Sequence, residues 1–496
     1  MSHGVIVVGA GPVGLMLAGE LRLGGADVVV YDRLPAPSGE SRGLGFTRRT
    51  AEVLDQRGLL ERLKGARWGK QGHFGGVRVD FEQVADRHYG VMGLAQSRTE
   101  EMLGAWVAEL GVTVRRGCRV IGLRQDDETV TVEFEGPDGR GEDSASYLVG
   151  CDGGRSTVRD LAGIGFPGLP ATRGIYMADV VGAELPMNPI GKRVEGGGMV
   201  LSVTLGPGVS RIVIHEPDVP PHHGESEPTF QEVADAWKRM TGDSIHHGDA
   251  TWMAALTNAQ GQAEQYRSGR VFLAGDAAHD HAPLAAQGVS TGIQDAVNLG
   301  WKLAAALKGH APEGLLDTYH GERHPVGQRL LRDTLAASLL YLGGEEMEPL
   351  RAVVRELAEI PEAARHLAGQ VSGVDIRYDM GAALGTAHPL LGLRLSPDRR
   401  IAVDGTPRRA AELLRSARGV LITGPAAAEY EAAGWSDRVD TVRGTWLVDE
   451  DDSKPGTLPL PDTVLVRPDG YIAWTAPDGG DLRAALTRWF GEPAGA

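Results

Sequence analysis

A run of four aliphatic residues, Val5–Val8, leads without a break into Gly9–Ala10–Gly11–Pro12–Val13–Gly14, and this junction constrains the fold more than any other feature of the chain. An unbroken apolar run of that length suits a strand buried on both faces, as in a parallel sheet. Val13–Leu23 reads as the helix that follows and Val28–Tyr31 as the next parallel strand, so the opening is a β-α-β unit. In such a unit the first glycine permits the tight turn and the second lets backbone approach a pyrophosphate. The third lets the helix lie close to the sheet. Free N–H groups at the helix N-terminus then meet the phosphate. Asp32 closes the second strand, where a carboxylate can accept a ribose hydroxyl and would repel a phosphate on that ribose. That leaves FAD and NAD open as the nucleotide. Glycine makes up 70 of 496 residues, so the spacing alone is weak evidence; its place between strand and helix carries the reading.

Farther along, Thr50–Leu63 and Thr99–Leu110 show helical spacing, and Val112–Val114 leads into a strand. Arg119–Arg124 and Thr129–Glu135 alternate as a hairpin around Asp126–Asp127. From 163 to 269 the character changes. Short strands such as Met199–Thr204 and Arg211–His215 alternate with Gly-, Pro- and His-rich turns, including Pro217–Pro228. That predicts a mixed or antiparallel sheet inserted between two parts of the first domain. Val271–Ala274 returns as a buried strand, and Val289–Leu307, Gln328–Leu342 and Leu350–His366 as helices. After the turn-rich linker Pro397–Pro407 come a helix at Arg409–Arg418 and a strand at Gly419–Thr423. A hairpin follows around Pro468–Asp469–Gly470, and then a closing helix at Leu482–Phe490. The expected division is 1–162 and 270–395 as two parts of one α/β Rossmann-like domain, 163–269 as the inserted sheet domain, and 396–496 as a separate unit.

Arg270–Val–Phe–Leu–Ala–Gly275–Asp276–Ala–Ala–His279 is a second informative segment. A buried strand ending in Gly–Asp places a short acid at the carboxyl edge of a sheet, where open α/β folds bind ligands. Pro283 fixes the loop and Gln287–Gly288 opens the helix, whose buried stripe is Ile293, Val297, Gly300, Leu303 and Leu307. Unpaired N–H groups at its start favour a ligand atom that becomes negative, by about 0.3–1 kcal/mol. The pyrimidine end of a reduced flavin is such an atom group. His279 reads as a residue that holds the loop or neighbours a phosphate. His88, His222, His223, His246, His247, His279 and His281 lack a matching carboxylate framework, so no metal site is expected.

Composition narrows the function classes. Cys118 and Cys151 are the only cysteines, which excludes a disulfide scaffold and a cysteine-built zinc or iron–sulfur site. Cys151 reads as packing against the nucleotide and Cys118 as core. Fifty basic against 66 acidic side chains give −16, a poor match to nucleic-acid phosphates. No apolar run is long enough for a membrane span, and no leader is read ahead of Val5, so a cytoplasmic enzyme is expected.

Three segments in order, Gly9–Gly14, Gly150–Cys–Asp152–Gly–Gly–Arg155–Ser–Thr–Val–Arg159, and Gly275–Asp276 with its helix, resemble the single-component FAD-dependent aromatic hydroxylases built on the para-hydroxybenzoate hydroxylase fold. The likeness runs over about residues 3–390. The remaining tail resembles the thioredoxin-like C-terminal domain of the larger phenol and polyketide hydroxylases. It has no cysteine, so dithiol chemistry is excluded and a packing or assembly role is expected. His73–Phe–Gly–Gly76, Tyr89–Gly90, Gln96–Ser–Arg–Thr–Glu100 and His388–Pro–Leu–Leu–Gly–Leu–Arg394 extend the likeness to bacterial hydroxylases of angucycline, anthracycline and tetracycline-type polyketides.

That resemblance implies roles residue by residue. Gly9, Gly11 and Gly14 form the pyrophosphate turn, with Asp32, followed by Arg33, where the family more often has Glu. Arg42 stands near the flavin and its phosphates, and Gln96 near the ribityl or phosphate region. Asp152, with Arg159 on its following helix, belongs to a motif tied to both FAD and NADPH. Asp276 takes the ribityl chain. Pro283 lines the reaction side of the isoalloxazine, and Gly288 with Val289 faces its pyrimidine edge. Pro283, Gly288 and Arg42 are therefore the residues expected at the reacting end. In one departure, Leu284–Ala285–Ala286–Gln287–Gly288 replaces the family's x-Gly-Gly-Gln-Gly.

The implied chemistry is hydroxylation of a polycyclic aromatic polyketide: NADPH or NADH reduces FAD, O2 adds at C4a, and a phenolic ring attacks the distal oxygen of the hydroperoxide. Baeyer–Villiger oxidation of a related ketone or quinone shares the fold and is the alternative. Apolar contacts would hold a planar tri- or tetracycle between flavin and insert, with Tyr176, Met199, Phe230, Trp237 and Trp252 as candidates by region. A small-molecule substrate is the expected partner, without nucleic acid or membrane, and a homodimer is left open.

Overall fold

The computed structural model describes residues 3–41, 43–64, 66–84, 90–195, 197–217, 219–221, 227–282, 287–381, 388–425, 427, 430–448 and 457–495. Its frame is a parallel sheet at whose edge an antiparallel arm is grafted. Strands β1 (His3–Val8), β2 (Val28–Asp32) and β3 (Thr113–Arg116) lie side by side and parallel. An arm follows: β4 (Arg119–Gln125), β5 (Val130–Gly136) and β6 (Gly139–Gly150). The first half of β6 pairs antiparallel with β5, and its second half runs parallel to β1. The long strand escaped the sequence reading because Gly139–Ser144 is polar and charged, without the alternation that marks β4 and β5.

Helix α1 (Pro12–Leu23) covers the centre of this sheet. It is flanked by α3 (Gln96–Glu109) and, much later in the chain, by α6 (Gln287–Leu307). The short helix α2 (Arg48–Gln56) ends earlier than its apolar spacing suggested. Gly58 turns left-handed at φ 68°, and Leu60–Arg62 is a separate 3-10 turn.

The inserted sheet has the order β8–β9–β10–β7–β11, all pairs antiparallel, from β7 (Gly174–Val181), β8 (Asn188–Arg193), β9 (Met199–Gly206), β10 (Val209–His215) and β11 (Asp249–Thr257). Helix α5 (Phe230–Thr241), held at its start by a Thr229–Glu232 capping box, covers one face. Between α3 and α5 lies the one-turn helix α4 (Thr157–Leu161). The chain then returns to the first sheet through β12 (Arg267–Ser268) and β13 (Val271–Leu273), the latter parallel to β6.

Helix α7 spans Asp317–Leu342 and accommodates Pro325, so it begins well before the expected Gln328. Its first turns are anchored by buried Tyr319, Glu322 and Arg323. The expected helix at 350–366 is split in two by Pro361, which supplies no N–H and so opens a new first turn.

The C-terminal unit is a four-stranded sheet in the order β15–β14–β16–β17: β14 (Gly419–Thr423), β15 (Val439–Arg443), β16 (Thr463–Val466) and β17 (Ile472–Thr475), followed by α8 (Leu482–Phe490). β14 and β15 are parallel; the other pairs are antiparallel. Only Ala410–Leu413 of the helix expected at 409–418 forms, and Ala417 turns left-handed beyond it. The tip of the β16–β17 hairpin is driven between α6 and α7. There Arg467 bonds Glu322 at 2.5 and 2.9 Å and Asp469 at 2.5 Å, while Lys302 reaches the same Glu322 at 2.8 Å. Burial brings the Lys302 ammonium down to about 8, against the pull of Glu322.

Candidate functional site

The glycine turn has the shape its sequence promised. Gly9 sits at φ 106°, and a side chain there would strike the Cys151 carbonyl at 2.3 Å. At Gly14 an added Cβ would lie 1.9 Å from the Gly9 oxygen. Gly11, by contrast, faces open space with nothing within 4 Å. It is the N-cap of α1 and makes no side-chain cap, while Pro12 follows with no N–H to satisfy. The remaining first-turn N–H groups thus look onto an unobstructed surface, the condition for seating a pyrophosphate. Asp32 holds this turn shut: it accepts Ala10 N at 2.6 Å and Leu34 N at 2.8 Å, with Arg116 at 3.7 Å. Arg33 stands exposed immediately after it.

The late acidic turn closes onto the same helix. Val13, in the first turn of α1, lies where Cβ atoms added to Gly275 or Gly292 would meet it at 3.0 and 2.6 Å. Two segments far apart in the sequence are therefore separated by one valine side chain. Asp276 leaves the β13 end in a 3-10 turn and is exposed. Gly288, in the first turn of α6, is bare toward it, since a Cβ there would come 3.1 Å from His281 Nε2 and 3.8 Å from Asp276 Oδ1. Val289 beside it packs half-buried on the main core. His279 is the loop-holding residue expected, bonding Asp295 at 2.7 Å with both side chains fully buried. Burial raises the Asp280 carboxyl to about 6, and Asp276 adds to that shift. Pro283, Leu284, Ala285 and Ala286 lie outside the described residues, as do Arg42, His88, Tyr89, His222 and His223.

A third wall is built at Ser41 and Gly43. Gln96 accepts Gly43 N at 3.4 Å and donates to Glu100 at 2.9 Å, and Ser97 N donates to Ser41 Oγ at 3.1 Å. Gln96 thus braces this loop at the N-terminus of α3. From the other side Arg211 donates to the Ser41 carbonyl while gripping Asp179 at 2.6 and 2.8 Å, its guanidinium 4.7 Å from the Trp252 ring. Both Asp152 oxygens are taken up in capping α4, from Ser156 Oγ at 2.6 Å and Val158 N at 3.1 Å. Arg159 lies buried over the Phe166 ring and bonds Ala277 O at 3.2 Å, which ties α4 to the acidic turn.

Strand alternation sorts the residues expected to line the substrate onto two faces of the inserted sheet. Ile175, Met177, Met199, Val213, Leu201, Trp252 and Leu256 share the face that meets Ala282 and Tyr341, alongside the Ser41 loop that Arg211 reaches. Tyr176, Phe230 and Trp237 do not: they pack between the sheet and α5, on the opposite face. The period of two puts Tyr176 on the side of β7 opposite Met177, and α5 turns Phe230 and Trp237 onto that same layer. Sequence reasoning missed Arg211, Asp179, Asp295 and Arg323. The available signal was charge inside otherwise apolar strand and helix faces.

The residues present fit FAD: an uncapped helix start behind an open glycine, a turn acid at a second strand end, and a glycine-faced helix start beside it. A family model described as an FAD binding domain matches residues 2–334, and one described as the C-terminal region of aromatic-ring hydroxylases matches 388–493. The chain is 42% identical, over the full length of both, to the 12-dehydrotetracycline 5-monooxygenase/anhydrotetracycline 6-monooxygenase of Streptomyces rimosus subsp. rimosus. It is 40% identical to the rifampicin monooxygenase of Streptomyces venezuelae over 98% of each chain. Among solved structures, CabE, an aromatic hydroxylase from angucycline biosynthesis, superposes with a TM-score of 0.93 at 50% identity, over 99% of this chain and 100% of that one.

Proposed function

This chain belongs to the FAD-dependent aromatic-ring hydroxylases, and from that premise we propose that it hydroxylates a planar polycyclic aromatic polyketide. It is a flavin-dependent monooxygenase, with FAD as cofactor and NAD(P)H and O2 as co-substrates. The observation that carries the reading is the meeting of the Gly9–Gly14 and Gly275–Asp276 turns around Val13, beside an apolar face of the inserted sheet.

Bound FAD supplies the oxygen transfer; the protein supplies position, charge and dryness. In this reading Asp276 takes the ribityl chain, and Gly288 and Val289 border the pyrimidine edge. Arg42 and Pro283 stand at the reacting end, with Asp32, Arg33, Gln96 and Asp152 on the flanks. The start of α6 favours negative charge beside it. Met177, Val213 and Leu201 keep water from the ring to be oxidised. A phenol already activated by its fused rings needs only to be held flat against that face.

The C-terminal unit is read as thioredoxin-like, on the support of its mixed four-stranded sheet and closing helix; lacking cysteine, it does no dithiol chemistry. A helix face carrying Leu350, Val353 and Leu357, with Ile360 just beyond its end, each about half exposed, supports a homodimer, which light scattering of the full chain tests. No described helix is long and apolar enough to cross a membrane, and the need for NAD(P)H favours the cytoplasm.

The test is NADPH oxidation with product NMR on benz[a]anthraquinone, anthracyclinone and tetracycline-type phenols. A new aromatic C–OH on one of them supports the reading. An inserted ester oxygen would instead mean Baeyer–Villiger chemistry, and NADPH consumption indifferent to every phenol would overturn hydroxylation.

A further inference from the structure

Three donors from two parts of the chain converge on one carboxylate with no access to solvent. Asp295, on α6, accepts the Gly275 backbone N–H at 3.1 Å and His279 Nε2 at 2.7 Å on Oδ2, and Arg323 Nε at 2.6 Å on Oδ1. The side chains of Asp295, His279 and Arg323 are each 0% exposed. Gly275 and His279 bracket Asp276, so both ends of the acidic turn hang from this single group. Arg323 is oriented in turn: it donates to the Thr291 carbonyl at 3.1 Å and to the Tyr378 hydroxyl at 2.9 Å. The Tyr378 ring stacks on Tyr471 of the C-terminal unit, with centroids 4.1 Å apart and planes inclined by 29°.

We propose that Asp295 is the positioning residue of the FAD ribityl turn, and that Tyr471, through Tyr378 and Arg323, lets the C-terminal unit hold that carboxylate in place. The inference rests on the reading of Asp276 as the ribityl partner. It gives the cysteine-free tail a task at the flavin: it fixes one wall against which Arg323 is locked. A buried carboxylate shared by an imidazole, a guanidinium and a backbone N–H has little freedom, because loss of any donor leaves desolvated charge behind. Asp276 lies between the two residues that Asp295 holds, so the effect reaches FAD through the geometry of the turn.

The test uses the full-length protein, stripped of flavin and titrated with FAD, with affinity, the visible circular dichroism of bound flavin and the apoprotein melting midpoint read together. Asp276→Ala checks the underlying reading and should lose FAD. Tyr378→Phe keeps the ring stack and removes one hydroxyl; it should weaken FAD about tenfold and alter the flavin dichroism while the apoprotein melts nearly as the parent does. His279→Leu should weaken FAD comparably, and His279→Gln, which keeps an N–H donor, should restore it. If Tyr378→Phe and His279→Leu bind FAD like the parent while Asp276→Ala does not, the inference falls and the ribityl reading stands. A lowered melting point with unchanged affinity and dichroism also overturns it. Parent-like affinity in Asp276→Ala overturns both.

Discussion

Arg211 and Asp179 form a two-pronged ion pair across neighbouring strands of the inserted sheet, at 2.6 and 2.8 Å, and the spare guanidinium nitrogen reaches across the domain boundary to the Ser41 carbonyl. One buried side chain thus joins the inserted sheet to Ser41 of the first domain. Arg211→Met leaves Asp179 without its partner and should cost about 3–5 kcal/mol of stability. Arg211→Met combined with Asp179→Leu should regain most of that stability, yet keep a lowered kcat, because the tether to Ser41 is still missing. Urea unfolding and steady-state NADPH oxidation of the two variants check the split.

Gly11 and Gly14 should respond in opposite ways to the same added methyl. Gly11→Ala meets nothing in the protein, so apoprotein stability should stay within about 0.5 kcal/mol of the parent. FAD affinity should fall about tenfold or more, because the methyl stands where the pyrophosphate approaches. Gly14→Ala collides with the Gly9 oxygen and should lower the apoprotein melting midpoint as well. Calorimetry and FAD titration of both variants provide the comparison.

Acid should weaken the apoprotein through His281. Its Nδ1 donates to Ala282 O at 2.7 Å, its Nε2 is buried without a partner, and burial pulls the ring down to about 4. A depressed histidine stabilises the fold fully above its unfolded value of about 6.5, and that contribution is lost as pH falls toward 4. Asp280 works the other way: raised to about 6, it adds stability as pH drops below that value. Because His281→Leu leaves Asp280 in place, the difference between variant and parent isolates the imidazole. The stability lost between pH 7 and 4.5 should shrink by on the order of 2 kcal/mol, measured by denaturant unfolding across that range.

The wedge at Arg467 makes a further prediction. Burial opposes the charge on Glu322, but Arg467 and Lys302 hold its carboxyl far below the usual carboxylate range. Arg467→Met should therefore destabilise the chain by about 3–5 kcal/mol, whereas exposed Arg62→Met, whose partner Glu109 is also exposed, should cost at most about 1 kcal/mol. Denaturation midpoints of the two variants decide this.

The β-α-β opening was legible because three separate requirements, an apolar run, a glycine turn and a helix, coincide within a few residues. The strand end at Gly275–Asp276 was legible for the same reason. Helix limits fared worse where tertiary contacts override local preference: Pro325 sits inside α7 because Glu322 and Arg323 are pinned in the core. Arg409–Arg418 has helical composition but yields one turn, since Arg409 is drawn off to Asp55 and Asp398. The choice among Tyr176, Met199 and Trp252 needed the register of β7, β9 and β11, which no single segment contains. Arg211 was invisible for a related reason, since a lone arginine in an apolar strand declares a partner without saying which.

The pleat of the inserted sheet has a practical corollary for altering what the enzyme accepts. Val203, Arg211, Asp179 and Trp252 lie abreast across four strands, and Leu201, Val213, Met177 and Ala254 form the next rank. Mutagenesis aimed at a wider or narrower ring system belongs at that second rank, where shape can change without severing the ion pair beside it. The intervening residues answer to α5, and randomising them would reshape the core beneath that helix and not the face proposed for the substrate.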